Sequence, residues 1–366
     1  RDRSVSRGLG DVYKRQLYDK RKDIVVEMTR LHKYTVFAVC MAISMGGSRI
    51  SAADYLAEGH EAFMNYDFDL ASELYAKYAK TLKSKPDEEG ARLLEKFQRQ
   101  LDIAESSLDN VQKIEVIDRI DVPAADFVAA IPLPAEEGHF LSKGKVPFKE
   151  RANESDYVFS SASGDFRMWT ERGEDGVPVI YEASRLLDGS WETPVSAGDV
   201  LNDGGSVRNP FMLTDGQTLY FAADGDGSMG GYDIFVATRD SSTGEYLQPI
   251  GVGYPFNSPY NEYMMAIDEE NGIGWWVTDR NQIEGKVSVY VFFTNDVRKN
   301  YVPDEENDIV SLARLDDILV TQNPEKDYGA IMGEIDGRRS SSDSDDDSEI
   351  CLLYTSDAAD DLTRVD

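Results

Sequence analysis

Cysteine, histidine and positive charge are scarce in this chain. Of 366 residues, two are cysteine and three are histidine. Cys40 lies in an apolar run near the start and Cys351 in the last sixteen residues, so the stretch between them holds no thiol and forms no disulfide. His60 and His139 are the histidines beyond His32, which excludes a histidine relay or a histidine metal site from the strand-rich region that follows. Lys and Arg number 38 against 68 Asp and Glu, a net charge of −30. That balance argues against nucleic acid and against an anionic membrane surface as partners, and favours solubility, cationic partners or ions. Residues 34–45 are apolar, but a run of that length falls short of the roughly 20 residues that span a bilayer.

What is present is a repeat. In residues 209–259 an apolar strand (Leu219, Tyr220, Phe221, Ala222) leads into a Gly/Asp-rich turn and a second strand over 232–237. Tyr246 then opens a Tyr-x-x-Pro segment, and Asn257, Ser258 and Pro259 close the unit. Alternating apolar runs bounded by Gly, Asp and Asn read as short antiparallel strands. About four of them in about 50 residues is the size of one propeller blade. Downstream, Trp275 and Trp276 stand where Tyr220 and Phe221 do, residues 289–292 match the second strand, and Tyr301 matches Tyr246. Upstream, Met168 and Trp169 match Tyr220 and Phe221, and Trp191 to Pro194 match Tyr246 to Pro249. The expected fold is mainly β: a partial or open β-propeller of about three four-stranded blades over 146–303, preceded by a small tetratricopeptide-like helical segment. Three blades do not close a ring, since propellers use about four to eight. A truncated read, an open arc and further unrecognised blades all fit.

Taken in order, residues 1–16 and 351–366 look like translated sequencing adapter and are set aside as artefacts. Met28 is a plausible start. Arg30, His32 and Lys33, the apolar run 34–45 and the small residues Ser51, Ala52 and Ala53 make a cleavable secretory signal over 28–53. Val39 before Cys40 does not fit a lipoprotein signal. Residues 54–110 are helical, with Leu56, Gly59, Ala62, Phe63 and Tyr66 on one face and Leu70, Ala71, Leu74, Tyr75 and Tyr78 on the facing one. Asp67 caps the second helix, Pro86 ends the pair, and a third carries Ala91, Leu94, Phe97, Leu101, Ala104 and Leu108 on one face. Gly59, Ala71, Tyr75 and Pro86 resemble one tetratricopeptide repeat, although Tyr78 stands where that pattern has Ala; a plain helical hairpin fits as well. Residues 111–145 are a connector with extended stretches at Val116 and Val122, and 304–350 an extension ending in acidic low-complexity sequence.

One loop has the spacing of a metal site. Asp224, Asp226 and Ser228 fall at positions 1, 3 and 5 of a calcium loop, but Phe235 stands at position 12, where a bidentate Glu is needed. The alternative is a Gly-rich turn, running to Asp233, whose carboxylates accept backbone N–H groups. Trp169, Trp191, Trp275 and Trp276 could stack on sugars or fill the core. No carboxylate pair stands out among so many. No catalytic, cofactor-binding or metal-ligating residue is assigned.

Asp215-Gly216, Leu219-Tyr220-Phe221, Gly230-Gly231-Tyr232-Asp233-Ile234-Phe235 and Asn257 resemble the TolB-like, WD-like β-propeller repeats of bacterial envelope proteins. The resemblance covers roughly 53–300. Some members add an OmpA-like peptidoglycan-binding domain, which is not visible here. It implies a non-enzymatic scaffold in the periplasm or on the periplasmic face of the outer membrane. Its partners would be other envelope proteins, with cell-wall or glycan components as further candidates, and no cofactor is implied. The alternative is a carbohydrate-binding or carbohydrate-active protein.

Overall fold

The computed structural model describes residues 52–148, 151–173, 175–201, 205–295, 297–302 and 308–342. The adapter-like ends, residues 28–51 of the expected signal and residues 343–349 of the acidic tail lie outside the described residues. The architecture below is that of the compact unit Leu56–Asp366, with the first turn of the helix that leads into it.

Three helices come first: α1 (Ala52–Met64), α2 (Phe68–Ser84) and α3 (Glu88–Ser107). Asp67 caps α2 by accepting the Leu70 N–H, and Asp87 caps α3 by accepting that of Gly90. Tyr66, at φ +61, turns the chain between α1 and α2. Gly59 lies against Tyr75, whose ring would be 2.7 Å from an added Cβ, so the two helices pack at close range. The expected tetratricopeptide-like segment is corrected to a short helical region. It is one hairpin and a third helix, without the stacked copies that define a repeat array.

Thirteen strands follow among the described residues, every pairing antiparallel. They are β1 (Glu115–Pro123), β2 (His139–Leu141), β3 (Val158–Ser160), β4 (Phe166–Arg172), β5 (Pro178–Ser184), β6 (Val195–Ser196), β7 (Val207–Met212) and β8 (Thr218–Ala223). Then come β9 (Asp233–Thr238), β10 (Ile250–Gly251), β11 (Glu262–Asp268), β12 (Ile273–Thr278) and β13 (Lys286–Phe293). The first sheet runs β2-β3-β4-β5-β6, the second β10-β9-β8-β7 and the third β1-β13-β12-β11. Register shifts interrupt β7 around Asn209, which sits at φ +54, and β11 around Tyr263. Each bulge bends its strand, and the Asn209 amide bridges them by donating to Tyr263 O at 2.8 Å.

One buried cluster draws on all three sheets, through Phe159 and Met168, Phe211 and Phe221, and Trp275, Val277 and Val289. The opposite face of the third sheet is buried too. Trp276 stacks on Tyr290 at 4.5 Å and meets Phe256 edge-on at 5.1 Å. Leu315 covers that face, one residue past helix α4 (Ile309–Arg314). Helix α5 (Tyr328–Ser342) sends Met332 and Ile335 into the main cluster. Ahead of it, Thr321 Oγ1 accepts the Val116 N–H, and at its first residue Tyr328 OH donates to Glu115.

The expected partial β-propeller is corrected: these are three separate open antiparallel sheets, none closed or strongly curled, in a mixed α/β fold. The alternating pattern specified hairpins, which is local information. How sheets are completed and placed is decided by their faces and edges. Here the third sheet takes its outer strand, β1, from residues 115–123, and the first takes β2 from 139–141. The second sheet, Val207–Gly251, therefore falls on one sequence copy, while the first and third each add a strand from outside theirs.

Candidate functional site

The Gly/Asp-rich loop is built into the junction between helices and sheets. Asp224 Oδ1 accepts the Ser206 N–H at 2.5 Å, Asp226 pairs with Arg99 of α3 at 2.6 Å, and Ser228 Oγ donates to Ala223 O at 2.8 Å. The three residues at calcium-loop spacing are thus engaged with separate protein groups. Among the described residues, no group of three acidic, histidine or cysteine side chains is placed to hold a metal ion. Gln100 of α3 donates through Nε2 to Gly230 O, fixing the helix to the loop.

The two glycines are demanded by a backbone approach. A Cβ on Gly230 would lie 2.2 Å from Tyr260 O and 2.3 Å from Ser258 O, and one on Gly231 would lie 2.0 Å from Asn261 Oδ1. This contact brings residues 258–262 against the loop. Gly231 N–H donates to Tyr260 O and Glu262 N–H to Tyr232 O.

Behind the loop sits a buried polar cluster. Arg280, just past β12, pairs with Glu262 of β11 at 3.1 Å, and both side chains are nearly sealed from solvent. Arg280 also donates to Pro255 O, Phe256 O and Thr278 Oγ1. Glu262 accepts in addition from Ser258 N–H, Ser258 Oγ and Thr278 Oγ1. Asp233, buried at the start of β9, accepts the Met229 N–H through Oδ2 at 2.8 Å and has the Gly230 N–H as a second backbone donor, while Oδ1 lies outside hydrogen-bond geometry. Burial, with Glu262 close by, pushes the Asp233 carboxyl well above the ordinary range, and burial also raises Glu262. Glu262 has a guanidinium and three further donors; Asp233 has no cation of its own. Burial therefore weighs more heavily on the ionised form of Asp233 than on that of Glu262. Tyr66 from the α1–α2 turn and Tyr254 complete the cluster with ring centroids 6.0 Å apart, and neither buried hydroxyl has a protein partner.

Trp169, Trp275 and Trp276 are buried, while Trp191 is half-exposed with the Arg167 guanidinium 4.9 Å from its ring centre. His60 lies in α1, stacked on Phe97 at 4.1 Å, and burial lowers its pKa. His139 begins β2, away from it in the first sheet. An open cleft of about 320 Å³ lies beside β7, lined by Arg172, Arg208, Glu154 and Tyr232, but its arginines are already paired with Glu154 and Asp156. The sequence gives no sign that Glu262, Arg280 and Tyr254 form a cluster, and it places Tyr66 only on a helix face. The available signal was weak: a charged pair eighteen residues apart, among 68 acidic residues.

No family model matches this chain, and comparison with curated proteins and with solved structures likewise returned no match. The resemblance to TolB-like and WD-like repeats is accordingly withdrawn along with the propeller.

Proposed function

We propose that the protein is a non-catalytic interaction scaffold, exported to the periplasm or the periplasmic face of the outer membrane, that binds other envelope proteins. The observation that carries this reading is a set of exposed aliphatic side chains at matching positions of the sequence copies. Val195 of β6 and Ile250 of β10 each follow a Trp/Tyr-x-x-Pro segment and are 56% and 70% exposed. Leu247 and Val302 follow Tyr246 and Tyr301 and are 54% and 75% exposed. Large aliphatics at matching positions, on a surface otherwise dominated by acid groups, suit protein contact. The export reading rests on the basic, apolar and small-residue succession over 28–53.

Site-specific photo-crosslinking tests it. A photoreactive residue at Val195, Ile250 or Val302 should give protein adducts in the envelope fraction, and one at Ser163 in the β3–β4 turn should not. Absence of adducts at all three positions, in a chain recovered from the envelope, would remove the reading. The carbohydrate alternative rests on Trp191, the half-exposed tryptophan. Glycan-array binding lost on Trp191→Ala would support it.

A further inference from the structure

We propose that Arg167, Arg185 and Trp191, on the face of the first sheet turned away from the main cluster, form a binding site for an acidic sugar, one that carries a carboxylate, phosphate or sulfate group. Such a ligand narrows the carbohydrate alternative above, on which the proposal rests.

Strand alternation assembles the three side chains. Val158, Trp169 and Ala183 make a small cluster of their own, while Phe159, Met168 and Ile180 enter the main one from the opposite face. Arg167 and Arg185 stand two residues from Trp169 and Ala183, so both belong to the small-cluster face. Trp191 packs on that cluster, bridges to Arg185 across the hairpin, and has the Arg167 guanidinium 4.9 Å from its ring centre. These two arginines differ from their neighbours in lacking a counter-charge. Arg151, Arg172, Arg208 and Arg239 each meet a carboxylate. Among the described residues, Arg167 and Arg185 meet only carbonyls, Lys145 O at 2.8 Å and Gly189 O at 3.1 Å, and the buried Arg167 Nε has no acceptor. Burial, and then the charge of Arg185, lower the Arg167 pKa. The carboxylates in the adjoining turns are engaged elsewhere, Asp165 by Ser161 and Ser163, and Asp188 by Ser190. Two like charges with unused N–H donors are relieved by an oxyanion, which a guanidinium meets through paired hydrogen bonds. Half-exposed Trp191 adds apolar ring surface beside them, on which a sugar ring can lie. The net charge of −30 opposes this weakly, because exposed charges beyond about 8 Å are screened at physiological salt.

Titration of the full chain with trigalacturonate and with glucose 6-phosphate tests the proposal. Tryptophan fluorescence reads Trp191, with Trp191→Phe as the blank, and calorimetry gives affinities for the arginine variants. At least one of the two acids should bind, and a response to only one identifies the oxyanion. The neutral methyl ester of trigalacturonate should bind at least about tenfold more weakly than the acid, the worth of one hydrogen bond to a charged group. Arg167→Gln and Arg185→Gln should each weaken binding of the acid by about the same factor, and Arg185→Lys should weaken it less than Arg185→Gln. Equal binding of trigalacturonate and its ester overturns the acidic assignment and leaves the carbohydrate reading in place. No binding of any of the three sugars removes both. Affinity that survives the double arginine variant overturns the proposal. So does a tetraglutamate peptide that binds as tightly as trigalacturonate, which would make the site a protein contact.

Discussion

Asp224 and Asp279 perform the same task in adjacent sheets: each carboxylate accepts the backbone N–H of the residue eighteen positions before it, Ser206 for Asp224 at 2.5 Å and Asn261 for Asp279 at 2.9 Å. In both places the aspartate N–H returns a bond to the carbonyl of that same residue. The pair therefore pins the start of one strand to the end of the next, and the second and third sheets use one device. Asp279 does more, since Oδ2 also accepts from Asn261 Nδ2 and Tyr263 OH. Asp279→Ala should cost about 2–3 kcal/mol and Asp224→Ala about 1 kcal/mol, by the usual worth of one to three charge-assisted bonds. Urea midpoints of the two variants check the order, and equal losses would refute it.

Gly230→Ala tests the close backbone approach. Its Cβ would meet two carbonyl oxygens inside 2.5 Å, neither of which is a movable side-chain tip. The substitution should destabilise by about 3 kcal/mol or more. Gly144→Ala, where nothing lies within 4 Å of an added Cβ, should shift the thermal midpoint little.

The pH dependence of global stability follows from the buried carboxyls. Asp233 and Glu262 both have raised folded-state pKa values, so the folded chain holds protons that the unfolded chain releases. Their contribution is fully present below the ordinary carboxylate value near 4. It is lost as pH rises from there through their raised folded values. Asp165, Asp188 and Asp240 are lowered by serine hydroxyl bonds and act in the opposite sense at acid pH, but they sit at the surface, where such terms are small. Urea midpoints measured from pH 5 to pH 8 should fall, and Asp233→Asn should flatten that slope and gain stability at the alkaline end. A wild-type midpoint that rises over this interval would contradict the assignment.

Iodide quenching of native tryptophan fluorescence should reach Trp191 and spare Trp169, Trp275 and Trp276, each 1% exposed or less. The accessible fraction should vanish in Trp191→Phe.

Local order was legible in the residues. The apolar spacing of Leu74, Tyr75 and Tyr78 gave α2, and Asp67 was readable as its cap. Leu219 to Ala222 fall inside β8, and Ile234 to Ala237 inside β9. Sheet completion was not legible, because pairing between β1 and β13 depends on edges about 170 residues apart and leaves no short-range signal. The burial of Arg280 and Glu262 was hidden for a similar reason: a charged side chain in a polar sequence looks solvated until its partners are placed. The tryptophans were read as sugar platforms or core. Strand β12 buries both its faces, one in the main cluster and one against Phe256 and Tyr290, so no alternation marked Trp275 or Trp276 as inward.

The union of β1 with β13 also sets a schedule for biosynthesis. β1 leaves the ribosome early, yet its hydrogen-bonding partner is the last strand of the sheet region. At about 5–20 residues per second, the wait is roughly 10–30 s. Through that interval an edge carrying Val116, Ile117, Ile120 and Val122 stays open to any other strand. A chain of this design benefits from a holding chaperone during synthesis, and a chain cut short before Phe293 leaves that edge permanently unmatched.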